Sequence, residues 1–379
     1  MKIAIVGAPY YAVPPVAYGG TERVIQYLIK GLLEEGHEPI LLAAGDSKVD
    51  CQLIPIVPKA IALPLDRAEL PAFRRKVKRI DAKTQDILAK LAPKVDVIHS
   101  HGFDLLPLQK YPSVTTLHVR LTLDDIDYYR DRKNLYYVSI SQNQQISLPD
   151  LQYIGVVYNG MDPAEFPVVI KPENYLCYIG RFDRDKSPHL AIQLALRLGI
   201  KIKLAGKIDH EGNSYFDEEI KPLLRHPLVE YIGEVSHKDK IELVSKARCN
   251  LHPISFREPF GLTVMEAAYC GTPTLTIRRG SMPELIEEGR TGVLIEDFVE
   301  GYYRMQECFD MDRRYIAQRA RTLFNYKTMT RQYLKAYQAV IGINQLHKKE
   351  EKLLRNLTAG ARRQLQAMWE TEEKSIDHL

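Results

Sequence analysis

The sequence predicts an α/β protein of two doubly wound domains facing each other across a cleft. Three observations lead there. Short apolar runs alternate with helical patterns along most of the chain, the mark of βα units in parallel sheets. The alternation comes in two series, separated by a turn-rich stretch fit for a hinge, Tyr158-Asn159-Gly160-Met161-Asp162-Pro163 with Pro167 and Pro172 beyond it. Past about residue 312 the pattern is helical to the end. The expected units are a first domain at 1–168, a second at 169–325, and C-terminal helices at 326–379 that cross back to the first domain.

In the first series the expected strands are Lys2–Gly7, Glu38–Ala43, Val95–His99, Ser113–Leu117 and Tyr136–Ile140. The helix after the first strand follows a Pro/Gly-rich loop. Thr21 is expected to cap it, Val24, Ile25, Leu28, Ile29 and Leu32 form its apolar stripe, and Gly36 ends it. In the second series the expected strands are Tyr175–Ile179, Lys201–Ala205, Val229–Ile232, Asn250–Pro253, Thr274–Thr276 and Gly292–Ile295. Ligands of such sheets sit beyond the carboxyl ends of the strands, so both domains should present loops to the cleft. The charged segment 348–379 carries an apolar stripe at Leu354, Leu357, Ala361, Leu365 and Met368. It reads as a helix packed on the body or on a partner chain, or as a surface helix with Trp369 at a membrane interface.

At 379 residues the chain exceeds what one hydrophobic core usually serves. Its 45% apolar and 26% charged residues argue against a disordered or fibrous protein. A net charge of +4 is too small to indicate nucleic acid, though it suits an anionic ligand. The five cysteines are scattered, without metal-ligand spacing, and read as buried thiols of a reducing compartment. Neither a signal-peptide pattern nor an apolar run of membrane-spanning length stands out, so the expected place is the cytoplasm.

The most informative stretch runs from Ser255 to Pro273. A strand ends, a loop carries Glu258, and a helix begins near Gly261 or Leu262, with Glu266 about two turns in. Between the two carboxylates lie the free N–H groups of a helix N-terminus, a natural seat for phosphate. That order suits a sugar nucleotide, which carries hydroxyls on both sides of its phosphates. Taken alone, the spacing is balanced by a plain surface loop. Upstream, Gly180-Arg181-Phe182-Asp183-Arg184-Asp185-Lys186 leaves a strand end on the same side. Arg181 and Lys186 can neutralise a diphosphate and stabilise its departure, while Asp183, Arg184 and Asp185 read as solvated surface charges.

Gly180-Arg181…Lys186, Glu258…Glu266 within Ser-x-x-Glu-x-Phe-Gly, and Tyr18-Gly19-Gly20-Thr21-Glu22 resemble the retaining glycosyltransferases of family 4, which have the GT-B fold of two Rossmann-like domains. The resemblance runs from residue 1 to about 340 and includes Val157–Asp162 at the domain junction. It implies that Arg181 and Lys186 bind the donor diphosphate and that Glu258 contacts the transferred sugar. It further implies that the backbone of Phe260, Gly261, Leu262 and Thr263 serves sugar and phosphate, and that Glu266 holds the ribose. Gly19 and Gly20 would admit the diphosphate and acceptor, and His118 matches the family histidine near the sugar. His99 and His101 are further candidates, at least one of which only packs the cleft wall.

By the same resemblance the donor is a UDP- or GDP-linked sugar and transfer is front-face with retention. Neither metal nor other cofactor is expected, since no Asp-x-Asp metal motif stands out and Arg181 and Lys186 do that work instead. Ile232-Gly233-Glu234 is the expected neighbourhood of the base. The acceptor is a sugar or a lipid-linked molecule, with no nucleic acid partner. The basic run Arg74-Arg75-Lys76-Val77-Lys78-Arg79 reads as a solvated face, as a seat for an anionic acceptor, or as a peripheral contact with anionic lipid on the inner face of the membrane. Alternative readings are a nucleotide-sugar 2-epimerase of the same fold and an inactive sugar-nucleotide-binding subunit.

Overall fold

The protein is described from a computed structural model that covers residues 1–16, 19–61, 69–208 and 214–356. The first sheet holds β1 (Lys2–Val6), β2 (Glu38–Ala44), β3 (Gln52–Val57), β4 (Val97–Ser100), β5 (Ser113–Leu117), β6 (Tyr136–Ser139) and β7 (Gln152–Val156). The second holds β8 (Tyr175–Ile179), β9 (Lys201–Ala205), β10 (Val229–Gly233), β11 (Cys249–His252), β12 (Thr274–Ile277) and β13 (Gly292–Ile295). Helices α1 (Gly20–Glu34), α2 (Leu70–Leu91), α3 (Ile126–Arg130) and α4 (Gln142–Gln145) accompany the first sheet. With the second come α5 (Pro188–Leu198), α6 (His237–Lys246), α7 (Leu262–Tyr269), α8 (Met282–Leu285), α9 (Phe298–Phe309) and α10 (Arg313–Leu323), and α11 (Tyr326–Asn356) follows.

Both sheets are parallel, with orders β3-β2-β1-β4-β5-β6-β7 and β10-β9-β8-β11-β12-β13. Strand order reverses between β1 and β4 in the first and between β8 and β11 in the second. A crevice opens beyond the strand ends at such reversals, because the flanking loops turn to opposite faces. The motif-bearing segments follow these strands: Gly7–Gly20 after β1, His101 after β4, Gly180–Ser187 after β8, and Pro253–Gly261 after β11.

β1 shows how the pleat builds the core. Ile3 and Ile5 face a core continuous with that of the second half, while Ala4 and Val6 face the separate core under α2. In α1 the stripe Val24, Ile25, Leu28, Ile29 and Leu32 is buried, and Gly36 beyond its end takes φ +75°. Helix α11 lies back against α1 and the strands of the first sheet, with Tyr333 and Tyr337 fully buried there.

Several sequence expectations need correction. Thr21 does not cap α1: Gly19 precedes the helix, no side chain caps it, and Thr21 lies in its first turn. Strands β3 and β7 were not anticipated. They are the two edges of their sheet, β3 carries Pro55 and β7 carries Gly155, and both are less buried than the central strands. Of the C-terminal stripe, Leu354 falls on α11, while Leu357, Ala361, Leu365, Met368 and Trp369 lie outside the described residues, as does Tyr18. Among the described residues no helix is long and apolar enough to cross a membrane.

Candidate donor and acceptor cleft

The loop after β8 is shaped by close packing and one aspartate. A Cβ on Gly206 would lie 1.7 Å from the Gly180 carbonyl oxygen, so the ends of β8 and β9 can approach only over glycine. Asp183 accepts the Lys186 N–H at 2.8 Å and lies 3.3 Å from the Arg181 guanidinium. It therefore folds the loop and orients both cationic residues, unlike the solvated charge expected from sequence. Arg184 pairs with Glu219, and Asp185 faces Arg120 of the first half at 3.9 Å.

Lys186 donates to the Glu258 carboxylate, so cation and anion meet across the second switch point. The Glu258 backbone is pinned where Ser281 donates to its carbonyl at 3.0 Å. Gly280 lies so close that a Cβ there would sit 2.4 Å from the Glu258 nitrogen. His252 stands 3.8 Å from the same carboxylate, and burial with Lys186 nearby keeps its imidazole well below the usual histidine range.

Gly261, at φ +92°, turns the chain into α7. The first helical amides that return to the Gly261 carbonyl are those of Val264 and Met265. Among the described residues nothing accepts from the N–H groups of Gly261, Leu262 and Thr263, which leaves three donors at a positive helix end. The Phe260 ring is core, so any part it takes in a site is through its backbone. Glu266, 2% exposed, accepts from Lys240 of α6 at 2.5 Å through Oε1, and its Oε2 is buried without a partner.

On the facing wall, Gly19 has φ +142° and a Cβ there would lie 2.6 Å from Pro15 Cβ. A Cβ on Gly20 would lie 2.7 Å from Leu262 Cδ1, so the N-termini of α1 and α7 nearly touch across the cleft. Glu22, in the first turn of α1, is buried, and desolvation raises its carboxyl to about 6. His118 Nε2 and His101 Nδ1 lie 2.8 Å apart, and burial lowers His118 to about 4, so both rings are neutral and share one proton between these nitrogens. His101 Nε2 is buried and unpartnered. His99 stands behind them, bonded at 2.7 Å to both Tyr337 and Thr116, and packs the wall without entering the cleft.

One cavity of about 910 Å³ gathers these groups. All eleven residues singled out from the motifs line it: Gly19, Gly20, His118, Arg181, Lys186, Glu258, Phe260, Gly261, Leu262, Thr263 and Glu266. Glu234, from the expected base region, lines it as well. Sequence reasoning did not assign Glu22, Lys207 or Lys240, nor Asn159, whose Oδ1 is buried and unpartnered. Glu22 and Asn159 stood inside quoted motifs and could have been found. Lys240 meets Glu266 only through the packing of α6 on α7, for which no local pattern exists.

Asp-x-Asp spacings, which can bridge a metal, occur three times, and each aspartate is otherwise engaged. Asp125 holds Thr122, Asp127 holds Arg130, Asp183 and Asp185 are placed as above, Asp310 accepts from Gln306, and Asp312 caps α10. Among the described residues no group of three or more His, Cys, Asp or Glu side chains is placed to hold a metal ion.

Two family models divide the chain at the junction between the sheets. "Glycosyltransferase Family 4" matches residues 18–165, and "Glycosyl transferases group 1" matches 164–301. The chain belongs to the family 4 glycosyltransferases. It is 26% identical over 347 residues to the glycogen synthase of Mycobacterium tuberculosis, covering 77% of this chain and 82% of that one. In fold, this GT-B glycosyltransferase is similar to sucrose-phosphate synthase from Thermosynechococcus elongatus (TM-score 0.74, 16% identity, 90% of this chain and 100% of that one). It is also similar to Anabaena HepE in complex with UDP-glucose (TM-score 0.67, 16% identity, 89% and 100%). The seam between the two family models lies beside Asp162 and Glu165, which bind Lys30 and Tyr27 of α1.

Proposed function

We propose that this glycosyltransferase moves a sugar from a nucleotide diphosphate sugar to an acceptor hydroxyl, retaining configuration at the anomeric carbon and using no metal. The observation that carries the reading is the set of unfilled groups around α7. Three unaccepted amides and two adjacent cations suit a diphosphate, and the orphaned Glu266 Oε2 suits a ribose hydroxyl. HepE, of the same fold, has been crystallised with UDP-glucose, which supports the donor class.

In the unliganded site Lys186 and Glu258 neutralise each other. A bound diphosphate offers the ammonium a stronger anion, and Glu258 is then free to accept hydroxyls of the sugar. Arg181, Lys186 and the α7 amides stabilise charge as it develops on the departing phosphate. Glu266 stays committed to Lys240, and Glu258, once released, is taken up by hydroxyls of the sugar, so neither carboxylate serves as a nucleophile in this reading. In front-face transfer the bond from the anomeric carbon to the phosphate oxygen breaks and the acceptor oxygen bonds on the same face. The acceptor proton passes to the departing phosphate.

The test is a thermal-shift series with UDP, GDP, ADP and their sugar conjugates in EDTA, followed by NMR of the product anomer. Stabilisation by one nucleotide series and a product of unchanged anomeric configuration are expected. Inversion would refute retention, a requirement for added Mg²⁺ would refute metal independence, and sugar epimerisation without acceptor would replace transfer by the epimerase reading.

A further inference from the structure

The two walls of the cavity differ in net charge. The second half contributes Arg181, Lys186, Lys207 and Lys240 against Glu234, Glu258 and Glu266. On the first, the arm of the cavity running beneath α2 is lined by Tyr10, Asp81, Gln85, Phe103, Asp104 and Tyr128. Asp104 is neutralised by Arg132, which grips it through Nε and Nη2 and lies 3.9 Å over the Tyr128 ring. Asp81 and Gln85 are one turn apart on α2, half-buried, and neither has a hydrogen-bond or ion-pair partner among the described residues. Burial holds the Asp81 carboxyl above its usual range, and burial also raises the Tyr10 phenol, with Asp81 beside it adding to the effect. Tyr10 itself is set by stacking on Phe73 at 6.1 Å.

We infer that the acceptor of this glycosyltransferase is an uncharged saccharide, whose ring lies against Tyr10 and Tyr128 while its hydroxyls bond to Asp81 and Gln85. This rests on the transferase reading above and narrows it. A carboxylate accepts hydrogen bonds and repels anions, so an unpaired Asp81 favours hydroxyl donors and disfavours phosphate. A carboxamide one turn away both donates and accepts, which suits neighbouring hydroxyls of one ring. The aromatic walls cover the apolar faces of such a ring, as in sites that combine apolar lining with a few placed polar groups. The basic run does not alter this balance: Arg74, Arg75, Lys76, Lys78 and Arg79 are exposed on α2, and none of them lines the cavity.

Saturation-transfer NMR on the full chain, with and without UDP, GDP or ADP, tests the inference against neutral mono- and disaccharides and their 6-phosphates. Transfer to at least one neutral saccharide is expected, in preference to its phosphate. Asp81→Ala and Gln85→Ala should each weaken it by about tenfold, as loss of hydrogen bonds to such groups does, while the thermal shift with the stabilising nucleotide persists. Preference for the phosphates, binding of neither class, or saccharide binding unchanged in both variants would overturn the inference. Saccharide binding without any response to nucleotide would instead overturn the donor reading and leave this one standing.

Discussion

Glu22 is 5% exposed at the start of α1, and desolvation lifts its carboxyl from 4.5 to about 6. The folded state thus binds this proton more tightly than the unfolded chain. The resulting stabilisation is complete below about pH 4.5 and is lost as pH rises through 6, about 2 kcal/mol in all. Glu22→Gln should therefore raise the melting temperature at pH 7.5 and leave it nearly unchanged at pH 4.5; equal shifts at both would show the carboxyl to be unperturbed. The Lys186–Glu258 pair allows a sharper separation of stability from function. Both side chains are largely shielded, so removing one leaves a buried charge without its partner. Glu258→Ala should cut kcat/KM by about a hundredfold or more and lower the melting temperature. Adding Lys186→Ala should restore much of the stability and none of the activity, and recovery of activity in the double variant would refute the assigned roles.

Helix α11 packs the second half's end of the chain back onto α1, β4, β5 and β7 of the first. It crosses α1 where a Cβ on Gly31 would lie 2.0 Å from Thr330 Oγ1 and 2.9 Å from its Cβ. Gly31→Ala should destabilise by about 1–3 kcal/mol through overpacking, with partial recovery in Gly31→Ala/Thr330→Ala, because the Oγ1 and Cγ2 contacts are removed while the Cβ contact remains. An unshifted melting curve for the single variant would mean that the crossing is loose. This contact was not legible in the sequence, since a glycine inside an amphipathic helix carries no sign of what approaches it. The same is true of Tyr333 and Tyr337, whose hydroxyls reach Thr116 and His99. Elements with local signals fared better: β5, β8, β9 and β13 begin and end where their apolar runs do. Edge strands β3 and β7 escaped because pairing on one side tolerates a proline or a glycine that a central strand would not. The cleft divides along the same line. Motif residues announced themselves, whereas Lys240, Asp81 and Gln85 take their places only once helices pack.

At the scale of the whole molecule, acidity should loosen the fold well before most of its carboxylates are protonated. His99 titrates near pH 3 and His118 near 4 in the folded protein, both held down chiefly by burial. His101 and His252 are pushed down the same way, so both halves carry such groups. An unfolded chain binds these protons at about pH 6.5, so stability present above that value is lost as pH falls from 6.5 toward the folded values. At pH 5 His99 and His118 each cost about 2 kcal/mol, a large share of the stability of an ordinary domain, and His101 and His252 act in the same direction. Glu22 acts in the opposite sense over part of the window, but one group gaining at most about 2 kcal/mol cannot offset the set. Asp162 and Glu165, whose carboxyls are lowered by Lys30 and by His237 and Tyr27, begin to lose their contribution only below about pH 4.5. The interval from 6.5 to 5 therefore belongs to the histidines. The melting temperature should fall steeply across it, with proton uptake on unfolding visible by calorimetry in buffers of different ionisation enthalpy. A melting temperature that stays flat from pH 7 to 5 would mean that the buried imidazoles find protons in the folded state, and the neutral His101–His118 pair assigned to the cleft wall would have to be abandoned.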